Sequence, residues 1–338
     1  MNESISIILT ANEQSSGLKR NLPLLLNQRY EAGYEVIVVD DSSSDETKDV
    51  IEAFEAQHNG TDNSHATLYS TYIPPSSHYL SRKKLAVTIG MKAAHAEWVV
   101  ITEAHCRPNG EEWLARLSEQ MTDNVDVVLC YTGFSPETKA LYTYLRMLNW
   151  WRLEKCPYRY DGACIVMRKS VFMAGNGFLS NLKYLRGEYD FLVNGTDSSR
   201  ISVCFPLEAS MTQVEPTRKE WVKANLHHMN IRGHLKHAFF PRMLFMFYQL
   251  FIHLCYILLS GLLAYAIYIH NTIYIGVTAT ALVLHTAYRT YFGYKLGKTC
   301  GNPVSIWKLP FVDLGVAWHY CYYWLRYRFT DKSEFIRK

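Results

Sequence analysis

The sequence predicts an α/β domain built on a parallel sheet, followed by transmembrane helices. Three observations carry that reading. Residues 35–47 (EVIVVDDSSSDET) pass from a β-branched apolar run straight into two aspartates and a Ser-rich turn. Residues 4–10 (SISIILT) repeat the pattern upstream, with Leu18, Leu22, Leu25 and Leu26 at helical spacing between the two. Residues 243–269 carry no formal charge, and a membrane-spanning helix needs only about 20 apolar residues.

The first strand ends at Ala11-Asn12-Glu13, and the helix after it leads through Gln28 and Tyr30 to the second strand. Such βαβ crossovers are nearly always right-handed. Asn12 and Glu13 therefore fall beside Asp40 and Asp41 at the carboxyl edge of the sheet, where open α/β sheets bind their ligands. Two readings of Asp40 and Asp41 stand together: ligand-facing carboxylates, or caps of the helix that the serines at 42–44 open. Neither turn contains GxGxxG or GxxxxGK[ST], so a nucleotide here is gripped mainly by side chains. Carboxylates suit that task because they accept hydrogen bonds from base N–H and ribose O–H groups. A third apolar strand, 97–102 (EWVVIT), ends at Glu103-Ala104-His105. Residues two apart in an extended segment point to one side, so Glu103 and His105 form a candidate divalent-metal pair. Carboxylate oxygen with imidazole suits manganese and its neighbours better than magnesium, which favours oxygen shells. A purely structural His105 is the alternative.

These segments resemble the inverting family 2 glycosyltransferases of GT-A fold, in particular the membrane-anchored bacterial type with a hydrophobic C-terminal region. The matching pieces run in order: SIILTANE, VIVVDDSSSD, KKLAVTIGMKAAHAEWVVITEAHCRP, DGACIVMRKSVFMAGNGF and LRGEYDFLVN. The resemblance covers about residues 4–225, and it implies a Rossmann-like mixed sheet that binds a nucleotide-diphosphate sugar and a divalent metal, Mn2+ or Mg2+. Carried over by position, it assigns Asn12, Glu13, Asp40 and Asp41 to the nucleoside and Lys84 to the diphosphate. Glu103 and His105 take the outer positions of the metal-binding DxD motif, at the donor diphosphate. The histidine departs from that motif, although the polypeptide N-acetylgalactosaminyltransferases use a DxH form. Glu188 falls on the catalytic base, with Asp190 as its fallback; capping of a helix that starts near Phe191 is the alternative for both. After Trp221, His227 or His228 stands near a place where related enzymes carry a Gln-x-x-Arg clamp. The implied activity is sugar transfer to a lipid-linked or polysaccharide acceptor. A catalytically degenerate scaffold in a glycan-assembly complex is the rival, and processive polymer synthesis ranks below both.

The remaining features fit a membrane enzyme. The 338 residues hold a mild net charge of +4 and no nucleic-acid-binding motif. Eight cysteines without a CxxC pair suit a reducing cytoplasm. The first strand starts at once, which predicts no signal peptide. Trp150, Trp151, Tyr158 and Tyr160 flank the acceptor-side strand, with packing favoured over sugar stacking. A polar loop is expected at 59–64. The expected organisation is a catalytic domain over 1–225, a basic membrane-proximal segment over 226–242 and a membrane region over 243–338. Spans are expected at about 243–269 and 272–290, joined by a His270-Asn271 turn, with 309–325 either interfacial or a third span. Basic residues after the second span and at the C-terminus favour the cytoplasmic side. The catalytic domain then faces the cytoplasm at the inner membrane.

Overall fold

Every strand predicted from an apolar run is present. The structure, a computed structural model, describes residues 3–58, 66–75, 81–204 and 207–335; the expected polar loop at 59–64 lies outside them. The first half of the chain holds β1 (Ile5–Ala11), α1 (Ser15–Leu26), β2 (Tyr34–Asp40), α2 (Thr47–His58), β3 (Ala66–Tyr72), α3 (Arg82–Ala93) and β4 (Trp98–Glu103). Next come β5 (Cys106–Pro108), α4 (Trp113–Ser118), β6 (Val127–Cys130), β7 (Thr132–Phe134), α5 (Ala140–Lys155), β8 (Ile165–Arg168) and α6 (Lys169–Ala174). The chain continues through α7 (Glu188–Gly195), β9 (Ile201–Cys204), β10 (Met211–Gln213), α8 (Arg218–Ile231), α9 (Phe239–Tyr268), α10 (Thr272–Thr299) and α11 (Leu309–Phe329).

The main sheet is mixed, in the order β3-β2-β1-β4-β8-β6-β9. Strands β3, β2, β1 and β4 are parallel, whereas β8 runs antiparallel to both of its neighbours. A small sheet, β5-β10-β7, stands beside it. Ala11 pairs with Asp40 and Thr10 with Glu103, so three strand ends meet at one edge.

Alternation along the strands builds two cores. Ile7, Leu9, Val36, Val38 and Val100 pack with Leu18, Leu22 and Leu25 of α1. Ile8, Ile37, Val39, Val99 and Ile101 pack on the other face with Val87 and Met91 of α3 and Leu148 of α5. Burying each such side chain stabilises by about 1.5–3 kcal/mol. α3 lies close enough that a Cβ on Gly90 would stand 2.5 Å from Ile8 Cγ2.

The C-terminal half differs from expectation in its boundaries. α7 starts at Glu188, not near Phe191, because Gly187 adopts φ 90 and turns the chain into the helix one residue ahead of the acidic pair. α8 crosses residue 225 without a break. The predicted turn is present between α9 and α10, where Asn271 Oδ1 accepts the N–H groups of Ile273 and Tyr274, each at 3.1 Å. Among the described residues α9 alone is long and apolar enough to cross a membrane. α10 runs nine residues beyond the expected end at 290, to Thr299. One face of its last turns packs on the protein: Leu296 is buried, and Arg289 makes a bidentate pair with Asp313 of α11 at 2.9 and 2.6 Å. α11 docks one face on α5 and α8, and it exposes Phe311, Trp318, Leu325 and Phe329 on another.

Candidate active site

Two loops form one end of this edge, and they are knitted to each other. Asn12 Nδ2 donates to Asp41 O at 2.8 Å, and Glu13 Oε1 accepts both the N–H and the hydroxyl of Ser44, each at 2.8 Å. Both Glu13 and Ser42 sit in the left-handed region, at φ 52 and 47, a strained placement that the surrounding bonds hold. Asn12 and Glu13 are therefore engaged in shaping the loops. Asp40 is divided between two tasks. Its Oδ1 accepts from Ser43 N at 3.2 Å and Ser43 Oγ at 2.6 Å, while its buried Oδ2 has no partner among the described residues. A buried bare carboxylate oxygen calls for a donor, and a ligand N–H or O–H supplies one. Asp41 Oδ1 is engaged by Arg82, at 2.6 Å from Nε and 2.5 Å from Nη2.

The first turn of α3 gathers the rest of the site. Ser81, its N-cap, accepts Lys84 N–H and donates its hydroxyl to Leu185 O at 2.9 Å. Arg82 reaches Asp41 and Ser42. Lys83 Nζ pairs with Glu103 and lies 3.0 Å from Glu188 Oε1, over the Tyr189 ring. Lys84, the residue expected at the diphosphate, points elsewhere. It is fully buried, and its Nζ donates to Asn181 O at 2.7 Å and Tyr184 O at 2.8 Å. Burial draws its ammonium down to about 8, against the pull of Glu188. Lys84 thus fastens the loop before α7 while Lys83 faces the site. Successive helical residues point about 100° apart, and the RKK run alone does not say which one faces in.

Glu188 and Asp190 separate clearly. Glu188 is 4% exposed; Lys83 and Arg186, the latter at 3.8 Å, engage Oε1, and Oε2 is buried with no partner among the described residues. Burial works to raise its carboxyl, but Lys83 and Arg186 outweigh it and hold it below the ordinary carboxylate value. Asp190 Oδ1 accepts Tyr160 N–H at 3.1 Å and lies 3.8 Å from Arg159 Nε. Burial pushes the Asp190 carboxyl up to about 6, with Arg159 pulling the other way. One acid keeps a bare oxygen, and the other is spent on the segment packed behind it.

Glu103 and His105 do share a side, with Nδ1 3.5 Å from Oε2. Burial raises the Glu103 carboxyl, yet Lys83 and then His105 outweigh it and hold it at about 2. Burial pushes the His105 imidazole down, against Glu103, which favours the neutral form that can ligate a metal. Among the described residues no third His, Cys, Asp or Glu joins them. The pair fits a cation whose other ligands come from phosphate oxygens and water. The surroundings of His227 and His228 disfavour their charged forms. Burial first, then Arg186 and Lys223, pushes His227 down to about 4, and burial with the neighbouring arginines pushes His228 well below its usual value. His227 meets the Phe335 ring edge-on at 5.1 Å, and His228 takes Arg159 Nη1 at 2.7 Å. Trp150, Tyr158 and Tyr160 are buried, with Tyr160 OH bonded to Cys164 O at 2.7 Å, and Trp151 packs on Phe292 at 5.4 Å. The packing role expected for these rings is the one observed.

Residues 6–173 match the family model described as Glycosyl transferase family 2. The chain carries a family 2 glycosyltransferase domain. Among solved structures, the mannosyltransferase PcManGT from Pyrobaculum calidifontis, in complex with GDP-Man and Mn2+, is 16% identical with a TM-score of 0.57 over 95% of this chain and 88% of that one. TarS of S. aureus, residues 1–349 in complex with UDP-GlcNAc, is 13% identical with a TM-score of 0.48 over 94% and 92%. No curated protein matches. The first likeness fixes the fold of the family 2 domain as that of the GT-A glycosyltransferases. The matched segment ends before α7, so the loop that carries Glu188 lies beyond it.

Proposed function

We propose that the chain is a membrane-anchored inverting glycosyltransferase that moves a sugar from a nucleotide-diphosphate donor to a lipid-linked or polysaccharide acceptor at the cytoplasmic membrane face. The observation that carries this reading is the bare, buried Oε2 of Glu188, on an acid kept ionised by Lys83 and Arg186. In the proposed step Glu188 accepts the proton of the acceptor hydroxyl as that oxygen bonds to the anomeric carbon. The bond from that carbon to the donor phosphate breaks in line, and its electron pair leaves with the nucleoside diphosphate. Asp40 Oδ2 accepts a donor hydrogen of the nucleoside, and Asn12, Glu13 and Asp41 hold the loops that frame it. Glu103 and His105 are the residues that would hold a divalent cation, which supplies positive charge against the departing diphosphate. The complex of the P. calidifontis neighbour with GDP-Man and Mn2+ supports this donor class and metal.

The apolar, largely exposed α9 supports membrane anchoring, with α10 completing the hairpin. α11 suits an interfacial helix better than a third span, because one face is docked on the catalytic domain. The ion pairs that occupy Asp41 and Glu103 favour the scaffold as the second reading. A screen of nucleotide sugars with detergent-purified full-length protein, with and without manganese, decides between the two. Transfer or hydrolysis of one donor, lost on chelation, is the expected result; no binding of any nucleotide diphosphate sinks the enzyme reading.

A further inference from the structure

Three arginines stand together where the catalytic domain meets α9, and none has a carboxylate within ion-pair distance among the described residues. Arg152 closes α5, Arg232 caps α8, and Arg242 lies in the first turn of α9. Arg242 Nη1 donates to Arg232 O at 3.0 Å. Arg152 Nη2 reaches Tyr158 OH at 3.3 Å, and its guanidinium lies 3.8 Å from the Phe245 ring centroid. All three lie near the half-buried His228, whose ring is held by Arg159. Arg159 differs from them in having carboxylates, with Asp161 at 3.2 Å and Asp190 at 3.8 Å. Burial, then Arg242, lowers the pKa of Arg232. Like charges gathered without counter-charge are costly, and the fold keeps them half-buried together.

Two further features say what relieves that charge. Phe239, Phe240 and Leu244, 76%, 65% and 60% exposed, stand beside the cluster at the start of the apolar helix. The base-bearing helix is tied to the same place: Asn194 of α7 donates to Tyr158 O at 3.0 Å and Lys236 O at 2.8 Å, and accepts Lys236 N–H at 2.7 Å. We propose that Arg152, Arg232 and Arg242 form a binding site for a phosphate group borne on a lipid, whose chain lies along the exposed face of α9. Guanidinium groups suit this, since they fork onto phosphate oxygens and are less strongly hydrated than ammonium. The site rests on the membrane-surface reading above and narrows its acceptor side to a lipid phosphate.

Farnesyl phosphate titrated calorimetrically into full-length protein in detergent tests it. Saturable binding is expected, weakened at least tenfold in Arg232→Gln and in Arg242→Gln and largely retained in Arg232→Lys. Farnesol, which keeps the chain without the phosphate, and inorganic phosphate are each expected to bind at least tenfold more weakly. Farnesol binding as tightly as farnesyl phosphate overturns the site, as does an unchanged affinity in both glutamine variants. Inorganic phosphate binding as tightly makes it a free-phosphate site and overturns the lipid assignment. Nucleotide-diphosphate binding, measured on the same samples, reports on the donor site separately, and a retained thermal transition shows that each variant is folded. Should Arg232→Gln lose that transition, Arg242→Gln decides the question alone.

Discussion

At the scale of single residues the site turns on Lys83, which touches both acids that matter. With Glu188 as base, Glu188→Gln is expected to lower kcat at least a hundredfold, since general-base catalysis contributes about 10²–10⁴. Donor binding, read by calorimetry, should stay close to wild type. Lys83→Met should act differently. In the native protein Lys83 and Arg186 hold the Glu188 carboxyl down against burial, so the base stays ionised well into the acid range. Without Lys83 burial is opposed only by Arg186 and a backbone N–H, and the carboxyl rises. The acid limb of the kcat–pH profile is then expected to move to higher pH, with activity recovering as pH rises. An unmoved limb would show that Lys83 does not set the charge of the base.

At the scale of elements, α3 is the part on which the candidate site depends, because its first turn binds the loop after β2, the end of β4 and the loop before α7. Its depth is set by Gly90, where a Cβ would stand 2.5 Å from Ile8 Cγ2. Gly90→Val is expected to cost about 1–3 kcal/mol by overpacking, seen as a lower thermal midpoint in detergent. The strands, the edge where their ends meet and the α9–α10 turn were legible in the sequence, because long β-branched runs and uncharged apolar stretches leave few alternatives. Which of Lys83 and Lys84 faces the site was not, since it depends on how α3 is rotated against β1. The start of α7 was missed for a related reason. Gly187 was visible, but its left-handed turn is fixed by tertiary contact: a Cβ there would stand 2.6 Å from Ile231 Cδ1 of α8. The length of α10 escaped because its last turns are polar at intervals, and only packing against the protein buries their inner face.

At the scale of the molecule, the buried pair between Arg289 and Asp313 fastens the hairpin to the catalytic domain, with Tyr144 of α5 donating to Asp313 at 2.6 Å. Asp313→Ala leaves Arg289 buried without its counter-charge, and a loss of about 3–5 kcal/mol is expected. Replacing both residues by apolar ones of similar size, as in Arg289→Met with Asp313→Leu, should cost less; thermal unfolding of the two variants side by side checks this. The chain also returns after the hairpin: Phe335 O accepts Leu185 N–H at 3.3 Å, and its ring joins the cluster of Leu226, Met229 and Tyr323. That bond has a consequence for synthesis. The loop in front of Glu188 is completed only by a residue 150 positions later (335 − 185), made after α9 and α10. On the proposed function, a chain that has not yet closed this contact holds Glu188 in an unfinished loop, so transfer is expected only after the segment beyond the hairpin has docked.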